Sequence, residues 1–332
     1  MSQPRVLVLD AEPLPRLDRL AGRAEVLHSD ENSLVDRLPA ADVLLVWDFT
    51  SDAVRHAWPG PGPRPSWVHT ASAGVDRLLF PELLASDAVI TNARGVFDGP
   101  IAEYVAGLVL SLAKDFRVGW ELQHERRWLH RETEKVAGGR AVVVGSGPIG
   151  RRIGDTLRAL GLHVTLVGRR ARGEVRAADE LPGLLGLADW VVCAAPLTPE
   201  TTGLFDAAAF ARMKPTARFI NVGRGQHVVE RDLVAALRAG TLAGAALDVF
   251  ENEPLPADSP LWDVPGLVVS PHMSGDTFGW RDDLGEQFLD NFDRWHAGEP
   301  LFNVVDKDLG YVPSEPASGH TPPPASDSPE EP

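Results

Sequence analysis

Residues 141–150 read AVVVGSGPIG. A short apolar run ends in Gly145-Ser146-Gly147-Pro148-Ile149-Gly150, and a helical pattern follows at once (Arg151, Arg152, Ile153, Asp155, Leu157, Arg158, Leu160) before Gly161. This is buried strand, glycine turn and helix, the setting in which G-x-G-x-x-G signals dinucleotide binding rather than an ordinary tight turn. Gly145 suits the sharp turn, Gly147 leaves no Cβ between the backbone and a pyrophosphate, and Gly150 lets the helix pack close to the strand. Pro148 falls in the first helical turn, where a missing N–H costs little.

Outward from this turn the pattern is regular. Apolar runs recur at 141–145, 163–168, 190–195, 217–222, 244–249 and 267–270, separated by helix-sized segments. Six such runs predict a doubly wound parallel sheet, with ligands at the carboxyl ends of its strands. Those ends carry residues 145–150, Gly168-Arg169-Arg170, Ala195-Pro196, Val222-Gly223-Arg224, Asp248 and Pro271-His272. The first hundred residues alternate short strands (5–10, 25–28, 42–47, 67–70, 88–91) with helix-like segments at 13–21 and 51–58, and predict a smaller parallel α/β domain. A strongly apolar helix is expected from 101 to about 116, capped by Asp98 or Gly99, and a last amphipathic helix over 286–297. Residues 119–134, rich in Trp, His and Arg, suit a subunit-contact arm, because Trp and Arg are favoured at interfaces.

Composition narrows the function. The chain has 332 residues, is 44% hydrophobic and carries a formal net charge of −15. That length suggests two domains, and that charge disfavours nucleic acid or an anionic membrane as partner. No run approaches the roughly 18 apolar residues of a membrane span, and residues 1–10 lack a signal-peptide core, so the cytoplasm is the expected compartment. The single cysteine, Cys193, lies in an apolar run and reads as packing. Residues 312–332, rich in Pro, Ser and Glu, are expected to be disordered.

The cofactor's identity rests on the second strand of the large domain. NAD sites usually place Asp or Glu about 20 residues beyond the glycines. Here that strand ends Val167-Gly168-Arg169-Arg170, with Arg172 nearby. Glycine removes the carboxylate that would repel a 2′-phosphate, and the arginines offer forks to hold it. NADP(H) is therefore favoured over NAD(H). Three further polar residues share the rim. Arg224 sits between glycines after a buried strand, Glu253 follows another strand with Glu251 as a competitor, and His272 ends a third. Singly they could be an ion pair, a surface acid and a turn histidine. Together, on one nucleotide-binding sheet, they suit carboxylate recognition and general acid catalysis.

These segments resemble the D-isomer-specific 2-hydroxyacid dehydrogenase family, closest in character to NADP-dependent glyoxylate/hydroxypyruvate reductases. The resemblance covers about residues 1–311. It rests on SAGVD at 72–76, GSGPIG at 145–150, CAAPLTPETTGLF at 193–205, NVGRG at 221–225, LDVFENEPLP at 247–256 and SPH at 270–272. It implies that Arg224 binds the substrate carboxylate and carbonyl, that Glu253 rather than Glu251 pairs with His272, and that His272 is the proton donor. It also implies that Ala73 and Gly74 offer backbone N–H groups to the substrate, and that Asp248 contacts the nicotinamide carboxamide. The implied reaction is reduction of a 2-oxo acid to a D-2-hydroxy acid. The implied architecture is a nucleotide domain (98–285) inserted in a flavodoxin-like substrate domain (1–97 and 286–311), the whole forming a homodimer. Two departures stand out. Formate dehydrogenases carry glutamine where Glu253 stands, and residues 273–280 read MSGDTFGW rather than the small-residue pattern common in the family. Trp47 and Trp280 are candidate pocket walls. Cofactor-sensing corepressors share the fold and are the alternative to an enzyme.

Overall fold

Buried runs of Val, Leu and Ile form two all-parallel sheets. The computed structural model describes residues 3–10, 14–48, 50–60, 62 and 64–313. In the first sheet, β1 (Arg5–Leu9), β2 (Glu25–Ser29), β3 (Val43–Val46), β4 (Trp67–Thr70) and β5 (Val89–Asn92) lie in the order β2-β1-β3-β4-β5. That is the flavodoxin-like order. The second sheet holds β6 (Arg140–Val144), β7 (His163–Gly168), β8 (Val175–Ala177), β9 (Trp190–Cys193), β10 (Arg218–Asn221), β11 (Gly244–Leu247) and β12 (Leu267–Val269), in the order β12-β11-β10-β9-β6-β7-β8. This is a Rossmann-type, doubly wound sheet. Its order reverses between β6 and β9, and ligands bind such sheets at that reversal.

Parallel strands covered on both faces need continuous apolar runs, which is why six of the seven strands stand out in the sequence. The seventh, β8, was not expected. It is a three-residue edge strand, Val-Arg-Ala, with only Val175 buried, too short and polar to leave a hydrophobic signature. Other boundaries differ as well. The apolar helix runs Asp98–Lys114, beginning three residues before the expected start. Its N-cap is Phe97 with no side-chain cap bond, so Asp98 lies inside the first turn and does not cap it. Asp115, with φ 52°, ends it, and a separate helix, Phe116–His124, opens the Trp/Arg-rich stretch. The segment expected as a helix over 13–21 is a single 3-10 turn, Leu17–Leu20. The last helix runs Trp280–Ala297, earlier than expected because its first turn is polar.

The chain returns to the first sheet at its end. Phe288, on the last helix, stacks on Trp67 of β4 with centroids 5.2 Å apart. The Val305 N–H donates to the Ile90 carbonyl at 2.8 Å, extending the edge of β5. Beneath Phe288 lies His69, wholly buried, its Nδ1 2.8 Å from Thr91 Oγ1. Burial alone pushes the His69 imidazole down to about 3, so it sits in this core as a neutral ring. Cys193 is buried at the end of β9, where burial pushes its thiol up to about 12, and it is packing rather than a nucleophile. Among the described residues no helix is long and apolar enough to cross a membrane, and no cluster of His, Cys, Asp and Glu could hold a metal. All of the tail stretch expected to be disordered, except Val312 and Pro313, lies outside the described residues.

Candidate active site

The turn after β6 is built by two glycines in mutual contact. Gly145 has φ +120°, which side-chain-bearing residues avoid, and a Cβ on it would strike the Ala194 carbonyl at the end of β9. A Cβ on Gly150 would strike the Gly145 carbonyl. By contrast, nothing lies within 4 Å of where a Gly147 Cβ would be, so the space above that residue is open. Gly147 is the N-cap and Pro148 the first residue of the helix Pro148–Ala159. The N–H groups of Gly147, Ile149 and Gly150 donate to no protein acceptor among the described residues. Open space in front of free N–H groups at a helix N-terminus fits an anionic pyrophosphate. Ser146 turns its hydroxyl toward β7. A Cβ on Gly168 would sit 2.5 Å from Ser146 Oγ and 2.9 Å from a Val175 methyl, so no acidic side chain fits there without displacing its neighbours. Arg169 and Arg170 follow, both exposed and neither in an ion pair with a described residue.

The turn after β10 presents Arg224. Asn221, wholly buried, accepts the Gly223 N–H (3.1 Å) on Oδ1 and donates to the Arg224 carbonyl (2.8 Å). His227, also buried, accepts the Arg224 N–H on Nδ1 (3.0 Å), and its Nε2 reaches the Pro196 carbonyl at 3.3 Å. A ring that accepts on Nδ1 is neutral, and burial lowers the His227 pKa in keeping with this. His227 thereby ties Val222-Gly223-Arg224 to Ala195-Pro196 at the next strand end. Neither Asn221 nor His227 was expected as a functional residue. Both lie within a few residues of Arg224, in or beside NVGRG.

Across the cleft, the turn after β4 presents Ala73 and Gly74. Ser72 Oγ donates to the Gly74 carbonyl (2.5 Å) and Asn92 Nδ2 to the Ala73 carbonyl (2.6 Å). The N–H groups of Ala73 and Gly74 donate to no acceptor among the described residues. Arg224 Nη2 stands where a Gly74 Cβ would be, so a side chain at 74 would displace the guanidinium.

His272 and Glu253 complete the cluster. The His272 Nδ1 lies 2.7 Å from Glu253 Oε2, and Glu253 Oε1 accepts the Phe250 N–H at 2.9 Å. Burial raises the Glu253 pKa, but the bond and charge of His272, the Phe250 N–H and the Arg224 charge together outweigh it and leave the carboxyl below its usual range. Glu253 is thus ionised at neutral pH. Its competitor Glu251 is engaged elsewhere. It exchanges bonds with Glu230, each backbone N–H donating to the other's carboxylate at 3.2 and 2.8 Å. Asp248 is wholly buried, and its carboxylate accepts from the Met273 N–H (3.0 Å), the Ser274 N–H (2.9 Å) and the Ser270 hydroxyl. Those bonds shape the loop that carries His272, which adopts φ 51°. Trp47 stacks on Trp280 with centroids 6.3 Å apart, and Trp280 packs against Phe97 at 6.2 Å. Trp47 is only 6% exposed, which makes it chiefly a packing residue.

The chain is similar to known proteins of one family. A family model described as "D-isomer specific 2-hydroxyacid dehydrogenase, NAD binding domain" matches residues 106–274. Glyoxylate/hydroxypyruvate reductase B of Citrobacter koseri is 34% identical over 257 residues, 73% of this chain and 78% of that one. The structure of an NADPH-dependent glyoxylate/hydroxypyruvate reductase of Sinorhizobium meliloti, in complex with NADP and sulfate, superposes with a TM-score of 0.80 at 29% identity, covering 93% of this chain and all of the other. A D-isomer specific 2-hydroxyacid dehydrogenase of Xanthobacter autotrophicus, in complex with NADPH and MES, gives a TM-score of 0.78 at 30% identity over 93% of this chain. The chain belongs to the D-isomer specific 2-hydroxyacid dehydrogenase family and is an oxidoreductase that binds NAD(P).

Proposed function

We propose that the chain reduces a small 2-oxo acid to its D-2-hydroxy acid, with NADP(H) favoured over NAD(H). The observation that carries this reading is the meeting of Arg224, the His272–Glu253 pair and the free N–H groups of Ala73 and Gly74 at one cleft. The reduced nicotinamide, when bound, supplies the hydride. Arg224 and the Ala73–Gly74 N–H groups bind the substrate carboxylate, and Arg224 polarises the carbonyl to be reduced. With Nδ1 held by Glu253, His272 gives a proton from Nε2 to the carbonyl oxygen. The ionised Glu253, bonded to Nδ1, keeps the ring oriented until it does so. Gly145–Gly150 would hold the pyrophosphate.

Support for NADP(H) comes from Gly168, which places no carboxylate at the end of β7, and from Arg169 and Arg170, whose exposed guanidinium groups suit a 2′-phosphate. The two solved relatives described above hold NADP or NADPH. Purified protein should oxidise NADPH with at least one of glyoxylate, hydroxypyruvate, pyruvate or phenylpyruvate, and NADH should serve at least about tenfold less well in kcat/KM, since one lost charge-assisted contact is worth about that much. A preference for NADH would overturn the cofactor assignment. Retained cofactor binding with no turnover on any acid would favour the corepressor-like alternative.

The same reading makes the protein a homodimer. Phe116, Trp120, Trp128 and Leu129 are 45%, 66%, 101% and 55% exposed on one segment, a density of large apolar side chains that suits coverage by a second copy. Light scattering at micromolar concentration should give twice the chain mass, and a monomer would refute the assignment.

A further inference from the structure

We propose that Asp76 is a positioning residue for Arg224, fixing the plane in which the guanidinium meets the substrate carboxylate. The proposal rests on the reductase reading above. Asp76 follows the β4 turn of the first sheet and Arg224 follows β10 of the second, 148 residues apart. The Arg224 Nε–H donates to Asp76 Oδ1 at 3.0 Å, and Nη1 donates to the Gly223 carbonyl at 2.9 Å. A guanidinium is planar, so two bonds from different nitrogens set both its position and its tilt. Nη2 is left directed at Gly74, where the free N–H groups lie. Three of the five guanidinium N–H donors remain for a ligand. The two side chains are 24% and 25% exposed, so the pair is sheltered but open to the cleft.

A carboxylate beside an anion-binding arginine has a cost. Asp76 weakens the field that attracts the substrate and repels its carboxylate directly. A simple counter-charge would therefore improve anion binding when removed. A positioning residue does the reverse, because a released four-carbon side chain samples many rotamers and a misplacement of about 1 Å costs catalysis about 10²-fold. The two roles predict opposite signs, and charge removal separates them.

The test uses the full-length protein and oxalate, a small dianion that mimics a 2-oxo acid, with binding followed by calorimetry. Asp76→Ala should weaken oxalate binding at least about tenfold and lower kcat/KM for the 2-oxo acid about 10²-fold, with NADPH affinity within about twofold of the unaltered chain. Asp76→Asn keeps the turn's size and an acceptor for Nε–H, and should lose no more than about tenfold in kcat/KM. On an Arg224→Ala background, Asp76→Ala should cause no further loss of oxalate binding, because the residue acts through the arginine. The proposal is overturned if Asp76→Ala binds oxalate tighter or unchanged, or if the losses add on the Arg224→Ala background. Absence of oxalate binding to the unaltered chain also overturns it. Should no 2-oxo acid be reduced, the reductase reading fails on its own, and the oxalate measurements still decide the role of Asp76.

Discussion

His272→Ala is expected to lower kcat for 2-oxo acid reduction by about 10²–10⁴, the scale of lost general acid catalysis, while NADPH affinity stays within about twofold. The size of the effect follows from the specialisation of the site. Protonation of the carbonyl oxygen needs a donor aimed at one point. His272 is aimed by the 2.7 Å contact between its Nδ1 and Glu253, and by a loop that Asp248 pins at Ser270, Met273 and Ser274. Glu253 can hold an imidazolium because its own carboxyl stays ionised. Asp276 lies near enough to feel the His272 charge, but burial pushes its pKa up. Cofactor affinity should survive because the glycine turn draws on Gly145, Gly147 and Gly150, none of which depends on the imidazole. Steady-state kinetics with NADPH titration by fluorescence would check both halves. Activity within tenfold of the unaltered chain would remove His272 from the role of acid.

How much of this arrangement is legible in the sequence depends on the range of the interaction. The strands β6, β9, β10 and β11 are legible because burial on both faces demands apolar runs, and the glycine turn because backbone contacts at Gly145 and Gly150 admit no Cβ. The edge strand β8 is not, since one buried valine in three residues carries no period. Asp98 looked like a cap by composition, but the helix begins at Asp98 itself, with Phe97 as the N-cap. The choice between Glu251 and Glu253 could not be made from spacing alone. It depends on Glu230, which engages Glu251 and leaves Glu253 to meet the imidazole. Asp76 stood in plain view within SAGVD, yet its relation to Arg224 is a contact between two sheets, and no local pattern encodes it. His227 and Asn221 act on backbone atoms of the Arg224 turn, which leaves no mark beyond their residue type.

Arg224→Ala should lower kcat/KM for the 2-oxo acid by about 10³ or more, because two contributions vanish together. One is polarisation of the carbonyl, and removing a single preorganised donor of that kind costs about 10²–10³ in kcat. The other is the carboxylate anchor, whose loss raises KM. A third effect acts in the same direction. Asp76 loses the cation it pairs with at 3.0 Å, and an uncompensated carboxylate then faces the incoming substrate carboxylate. Arg224→Lys restores the charge but not the planar fork that bonds Asp76, the Gly223 carbonyl and substrate at once, so it should recover only a small part of the loss. The structural damage should be slight, since the Arg224 backbone is held by Asn221 and His227 through its own N–H and carbonyl. Unchanged thermal stability and NADPH affinity, with both KM raised and kcat lowered, is the expected profile. A variant that loses only KM would restrict Arg224 to anchoring the carboxylate and return polarisation of the carbonyl to His272 alone.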